Sequence, residues 1–491
     1  MVTDLVTPQN NYQAAFRALQ QTKPSAPWVE LVRESAMDRF ESLGFPSVSN
    51  EEWKYTNLAP LAKDTSFRPA TGERLSSLNK DAIAKFVYPE TSSSNLVLVN
   101  GFFSPELSTM NGLGSVVTLD LFAAVSDGKY GRVVREYLAR NACYKNNGLR
   151  ALNTALLQSG LFLLVPKNTN QTTPIQITYV SGSPDSTDAS FPRVLVVAEE
   201  NSSATLIESY VTVAGNRYFT DAVMEIVLKA GAQLKHYRVQ RESAKAFHVA
   251  STSAELGRDS SYDTTSINLG GQLSRHDVSV VMEEEGAECW VDGLYLVGAD
   301  QHSDTHSVID HKQPHCTSHQ LYKGILDDNG RAVFNGKIFV REGAQKTDAM
   351  QTNKNLLLSN QARVDTKPQL EIFADDVKCA HGAAVGQIDE EELFYLQTRG
   401  INPDLARNLL TYGFAEEVIG KISIDSIRSQ LDETVLHQLH ARIEAWSLVN
   451  WPKSEGHIMN RNSDPSSRSR IQDFGKQSWT ISFRKLIPAP K

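Results

Sequence analysis

The sequence predicts a mainly β protein: a β-solenoid flanked by helical regions at its N-terminal and C-terminal ends. Two observations lead there. From about residue 95 to 388, short β-branched runs follow one another between glycine and asparagine turns, with no long helical pattern among them. Within that stretch, turn-then-strand phrases recur: Asn201-Ser202-Ser203-Ala204, Ala230-Gly231-Ala232, Glu285-Gly286-Ala287 and Glu342-Gly343-Ala344. Their alanines lie 28, 55 and 57 residues apart, and the last two spacings are close to twice the first. A strand-filled period in the twenties is what rungs stacked on one another require. A β-sandwich also has many short strands, but about 300 residues is large for one sandwich.

Taken in order, residues 1–94 read as helical. Pro27 suits the first turn of a helix, and Trp28, Leu31, Val32, Ala36, Phe40 and Leu43 follow at helical spacing before Gly44 and Pro46 stop it. Ser49-Asn50-Glu51-Glu52 resembles a capping box. The solenoid core is expected over 95–388, with early strands at Leu96–Val99, Val116–Leu119, Leu161–Val165, Ile175–Val180, Val194–Ala198, Ala204–Val213 and Ala222–Leu228. Residues 389–447 turn helical again. Asp389 with Glu392 resembles a capping box and Gly400 closes that helix; Asn402-Pro403 opens the next and Gly413 ends it. A third helix carries Ile427, Leu431, Val435, Leu439, Ile443 and Trp446 on one stripe. So few short helices enclose little core, so they must pack on the β-body or on a partner. Residues 448–491 are rich in Ser, Arg, Asn and Pro and read as a disordered basic tail.

Composition narrows the function. A net charge of −8 argues against nucleic acid as the main partner, since phosphate binding needs a basic surface. Four scattered cysteines, Cys143, Cys289, Cys316 and Cys379, suit a reducing compartment better than a disulfide framework. Residues 1–13 show neither the basic nor the apolar part of a secretory signal, and no run reaches the ~20 apolar residues of a membrane span. A soluble, cytoplasmic protein without a membrane partner is expected. Gly-x-x-x-x-Gly-Lys-Ser/Thr, Gly-x-Ser-x-Gly and His-Glu-x-x-His are all absent. This chain should bind no nucleotide itself, and a scaffold is favoured over an enzyme.

The densest chemistry is Asp375-Asp376-Val377-Lys378-Cys379-Ala380-His381-Gly382. On a strand, Cys379 and His381 share a face, so both reach one metal or sulfur atom. The plainer alternative is a packed cysteine beside a hydrogen-bonded histidine. A second cluster, His311, His315 and His319, has the spacing of a metal site on one face, although Pro314 argues against a helix there; satisfied imidazoles on a polar face are its alternative. Asp375 and Asp376 invite comparison with the acid and base of a polysaccharide-acting β-helix enzyme, but neighbours on a strand point to opposite faces.

Several of these phrases resemble one family closely. Asn335-Gly336-Lys337-Ile338, Gln345-Lys346-Thr347-Asp348, Asn355–Ser359, Thr366–Ile372, Asp375–Gly386 and Leu393–Ile401 look like the SufB/SufD family of iron–sulfur cluster assembly scaffolds. Asn50-Glu51-Glu52-Trp53-Lys54-Tyr55-Thr56 is similar to its N-terminal signature. The resemblance covers about residues 25–445, and Lys378–Ala383 has the form of the SufD branch. It implies a right-handed parallel β-helix and a complex with one SufB-like paralogue and two copies of a SufC-like ABC ATPase. It implies that the C-terminal helices dock the ATPase, through a set such as Leu393, Phe394, Leu396, Arg399, Leu405, Leu409 and Phe414. The end of the β-helix would pair with the paralogue, or with a second copy when the chain is alone. Cys379 and His381 would be the functional pair at that interface, sharing a transient Fe–S cluster with the partner. A structural subunit without any ligand role is the rival.

Overall fold

The structure, a computed structural model, describes residues 8–22, 25–72, 78–140, 142–182, 187–213, 215 and 217–436. The expected tail, and Leu439, Ile443 and Trp446 of the third helix, lie outside the described residues.

Thirteen strands, from Ser203–Thr212 to Lys378–Gly386, alternate between an 11-stranded and a 10-stranded sheet. Each pairs in parallel with the strand two places on, so two facing sheets wind as one solenoid. One coil takes from 26 residues (Phe247 opposite Leu273) to 32 (Arg331 opposite Arg363). Shorter strands, including Asn95–Val99, Leu161–Val165, Ile175–Ser181 and Arg193–Ala198, build the first coils close to where the β-branched runs place them. At this N-terminal end both sheets finish in antiparallel pairs, Leu98 opposite Phe103 and Val117 opposite Leu164.

The repeat is set by one turn. Asn168, Asn201, Gly231, Asp259, Gly286, His315 and Lys346 all have positive φ, one per coil. From Asn201 on, each N–H bonds a carbonyl one coil later: Ala230, Arg258, Glu285, Pro314, Gln345 and Asp376 in turn. The spacing near 55 thus skipped Asp259, which takes the left-handed conformation without being glycine. Gly343 is not the equivalent of Gly286; two coils on from it stands Lys346, because the turn before the strand Asp348–Leu357 is longer. Stacking is close here, since a Cβ on Gly286 would stand 2.2 Å from Asp259 Oδ1.

Inside the coil, apolar and polar residues separate. Ile226, Ala254, Val280, Ile309 and Ile338 stack as one apolar column. Elsewhere the interior is polar. His236 sits between Glu208 Oε1 at 3.0 Å and Tyr262 OH at 2.9 Å, and Arg238 donates to Asn268 at 2.7 Å while lying over the Tyr210 ring. Burial opposes the charge on Glu208, but the hydrogen bond and charge of His236, with Arg238, hold its carboxyl below the usual range.

Three short helices, Leu121–Ser126, Gly131–Tyr137 and Gly148–Ala155, interrupt the predicted β-region. They are too short for a helical period to show, although their caps Asp120 and Asn147 carry the signal. The helix Pro27–Leu43 forms as expected, yet it buries Val29, Arg33, Ala36, Met37 and Phe40 and leaves Leu31 and Leu43 exposed. At the other end Asp389 caps Glu390–Thr398 and Asn402 caps Pro403–Ile419. This second helix runs through Gly413 instead of stopping there. Ala415, Val418 and Ile419 pack on Tyr237, Val239 and Leu294 of the 10-stranded sheet, and that burial outweighs the ~1 kcal/mol a glycine costs in a helix. Residues 425–436 continue helical with Ile427, Leu431 and Val435 buried on the same surface.

Asn50–Thr56 forms no capping box. Asn50 Oδ1 accepts from Ser47 N–H, and Glu51–Trp53 is a single 3-10 turn. The segment instead crosses four successive strands of the 11-stranded sheet as a strap. Trp53 stacks on the buried Arg275 guanidinium at 3.8 Å, and Thr56 Oγ1 donates to Asp304 at 2.6 Å. Glu52 meets Lys337 at 2.6 Å and His306 at 3.4 Å; Glu51 meets Lys367 at 2.6 Å. The His306 hydrogen bond, helped by Lys337 against burial, holds Glu52 at about 2. Burial alone would depress His306, but the Asp304 charge, joined by hydrogen bonds to Asp304 and Glu52, outweighs it and raises His306 to about 9.

A raised histidine stabilises the fold below its unfolded value of about 6.5 and loses that contribution as pH climbs through 9. The melting temperature should therefore fall between pH 6.5 and 9, with a shallower fall in His306→Gln. Trp53→Ala should cost about 3–5 kcal/mol in denaturant unfolding.

Candidate functional site: the C-terminal rung

Lys378–Gly386 ends the 10-stranded sheet and Arg363–Ile372 ends the 11-stranded sheet. Neither has a strand on its outer side among the described residues, so their outward N–H and C=O groups lack ladder partners. Apolar residues of this rung lie open: Ile372 is 40% exposed, Phe373 59% and Val385 47%.

Cys379 and His381 sit on this last strand and share a face, as the alternation predicts. Cys379 pairs with Ala349 and packs against the interior core, which makes that face the inward one. His381 keeps the same phase and is exposed, since no further coil covers it among the described residues. Burial first, then the Asp348 charge, push the Cys379 thiol up, against a lowering contact from the Ala349 backbone. It is a protonated thiol near neutrality, and binding a metal would release its proton. Among the described residues no group of three or more His, Cys, Asp and Glu side chains is placed to hold a metal ion. Cys379 and His381 on their own therefore do not complete a metal site among the described residues.

The second histidine cluster does not converge. His311 points into the coil, its Nε2 2.9 Å from Ser318 Oγ, and burial lowers it to about 4. His315 holds the left-handed turn at φ 60°, with its side chain exposed. His319 lies on the outer face, stacked on Trp290. The turn between the strands His302–His311 and Thr317–Leu326 breaks the alternation on which a shared face depends. Cys316 is buried in the core, with Sγ 3.5 Å from the Glu284 carbonyl. Asp375 and Asp376 occupy an exposed turn, with Asp376 paired to Lys346.

Of the helical surface residues, Phe394, Arg399 and Leu405 are exposed, and Leu396 and Leu409 are half-buried. Leu393 is buried, and Phe414 packs inward under Lys323 Nζ, 4.2 Å from its ring. Leu393 therefore supports the helix from below, while Phe414 keeps part of its surface open. Sequence reasoning missed the strap contacts and the polar interior. Both depend on register between residues far apart in the chain.

These features define a class: a two-sheet parallel β-solenoid, capped at its N-terminal end, with a thiol and an imidazole on a bare terminal rung. Comparison with known proteins makes it particular. Residues 179–414 match the model of the SUF system FeS cluster assembly SufBD core domain, and residues 7–177 match the SufBD protein N-terminal region. A SufBD-family iron–sulfur cluster assembly protein of Synechocystis is 38% identical over 414 residues, covering 82% of this chain and 89% of that protein. The iron–sulfur cluster assembly protein SufD of Escherichia coli is 34% identical over 79% of this chain and 88% of its own length. SufD of Bacillus subtilis is 28% identical over 85% and 96%. The chain belongs to the SufBD family of iron–sulfur cluster assembly proteins, with SufD among its homologues.

The four cysteines should separate on alkylation. In the free chain at pH 7, iodoacetamide should modify exposed Cys143 first, Cys379 more slowly, and buried Cys289 and Cys316 only on unfolding. Peptide mass mapping checks the order, and the Cys379 rate should climb as pH approaches 9.

Proposed function

We propose that this chain is a non-catalytic scaffold subunit on which a nascent Fe–S cluster is built and released as cargo. The observation that carries the reading is the placement of Cys379 and His381 on the one rung whose edge is bare at the C-terminal end of the solenoid. Thiolate and imidazole are both good iron donors. Two donors hold an iron weakly alone and firmly when a second chain adds its own, which suits a scaffold that must also let go. His381 contributes or orients an iron ligand, and Cys379, drawn into the core, is the weaker donor.

The same surfaces support the partners of this reading. A SufB-like paralogue docks on the bare rung, and a second copy of this chain takes that place when it is alone. A SufC-like ABC ATPase docks on the helices, where Phe394 and Leu405 are exposed. ATP closing two ATPase subunits strains the rung interface and opens the site, a two-state element biased by ligand. The nucleotide belongs to the ATPase, since this chain has no phosphate-binding loop. A cytoplasmic location fits, as no helix among the described residues is long and apolar enough to cross a membrane. One observation favours a second reading, a structural subunit with no ligand role: Cys379 packs with the interior core.

Anaerobic co-purification with the ATPase and the paralogue decides between them. His381→Ala should leave the complex assembled and remove most of its iron, acid-labile sulfide and visible absorbance. Equal cluster content in both would make the chain architectural.

A further inference from the structure

We propose that Gln351 is a positioning residue for His381: its buried amide oxygen accepts the imidazole N–H and thereby selects which ring nitrogen is left free. This rests on the reading of His381 as an iron ligand or its orienter.

Gln351 lies directly beneath His381, its register partner one coil earlier, at the neighbouring-strand spacing of about 4.8 Å. Both have the inward phase. Gln351 is 1% exposed, and its Nε2 donates to Gln320 Oε1 at 2.7 Å, one further coil back. Its Oε1 is buried and has no hydrogen-bond partner. An amide that donates toward one coil turns its carbonyl toward the other, and on that side stands His381. The amide reaches across the coil and rests over Gly336, where an added Cβ would come 2.3 Å from Nε2. Gly336 belongs to the Asn335-Gly336-Lys337 phrase, whose outer members hold Glu52 of the strap. The glycine between them keeps the interior open for this amide. A χ rotation of the uncovered His381 ring brings an N–H over Oε1. Leaving a buried acceptor unpaired is unfavourable, which favours that rotamer. One tautomer then dominates, and the opposite nitrogen faces outward. A metal-binding histidine gains orientation and basicity from such a partner.

The test uses the full chain labelled with 15N-histidine at pH 8, with the His381 ring signals identified by their loss in His381→Ala. Wild type should show one dominant tautomer. Gln351→Leu should show a mixture, and Gln351→Glu, which keeps the acceptor, should restore one tautomer. In the assembled complex, the iron concentration for half-loading should rise about 10-fold in Gln351→Leu and return toward wild type in Gln351→Glu. Should Gln351→Leu fold poorly by circular dichroism, Gly336→Ala displaces the same amide and should give the same mixture. Identical ring shifts in wild type and in a folded variant would overturn the proposal. The two readings also fail separately. If His381→Ala loses iron while the tautomer ignores Gln351, the ligand reading stands and this one falls. If the tautomer responds but His381→Ala keeps its iron, positioning stands and the ligand reading falls.

Discussion

Each strand of the solenoid draws its backbone hydrogen bonds from the coil before it and the coil after it. This one constraint organises the molecule. It forces a near-constant coil of 26 to 32 residues, and it makes the left-handed turn at Asn201, Gly231, Asp259, Gly286, His315 and Lys346 recur. It also leaves two ends to be managed. The N-terminal end is closed by antiparallel pairs and by helices over Phe162, Leu164 and Leu195. At the C-terminal end no further strand follows among the described residues, and Cys379 and His381 are there. Long parallel edges of this kind invite another chain, so Cys379 and His381 stand where the described fold is least finished.

The rest of the body braces that end. The strap at Asn50–Thr56 ties Arg275, Asp304, Lys337 and Lys367, four strands in a row, and its last contact is on the terminal strand of the 11-stranded sheet. The C-terminal helices clamp the outer face of the other sheet through Ile419, Ile422, Ile427 and Leu431. The strap thus reaches the terminal strand of one sheet, and the helices hold the other as far as Leu358, one coil before Lys378–Gly386. Brace and site also meet at Asn335-Gly336-Lys337, which holds Glu52 outside and gives room to the Gln351 amide inside.

Much of this was legible in the sequence where local rules apply. Strand positions followed from β-branched runs, and the shared face of Cys379 and His381 followed from alternation. The solenoid showed through Gly231 and Gly286, since glycine advertises a left-handed turn. Asp259, His315 and Lys346 do the same work without glycine, so the period looked doubled and His315 passed for a metal ligand. What needed register was hidden. No spacing within the chain says that Lys378–Gly386 is the last coil, that Glu52 reaches Lys337, or that Gln351 lies under His381. Gly413 misled for a related reason, because burial on a distant sheet carried the helix past it.

The central claim is that the bare rung is a docking edge for a second solenoid. Hydrogen exchange of the chain alone, compared with the chain mixed with the proposed SufB-like partner, tests it most directly. Amides of Arg363–Ile372 and Lys378–Gly386 should exchange fast in the free chain and become protected in the complex, as an edge strand does when it gains a partner. Protection that leaves 363–386 unchanged and appears only on the helices 390–419 would contradict the account.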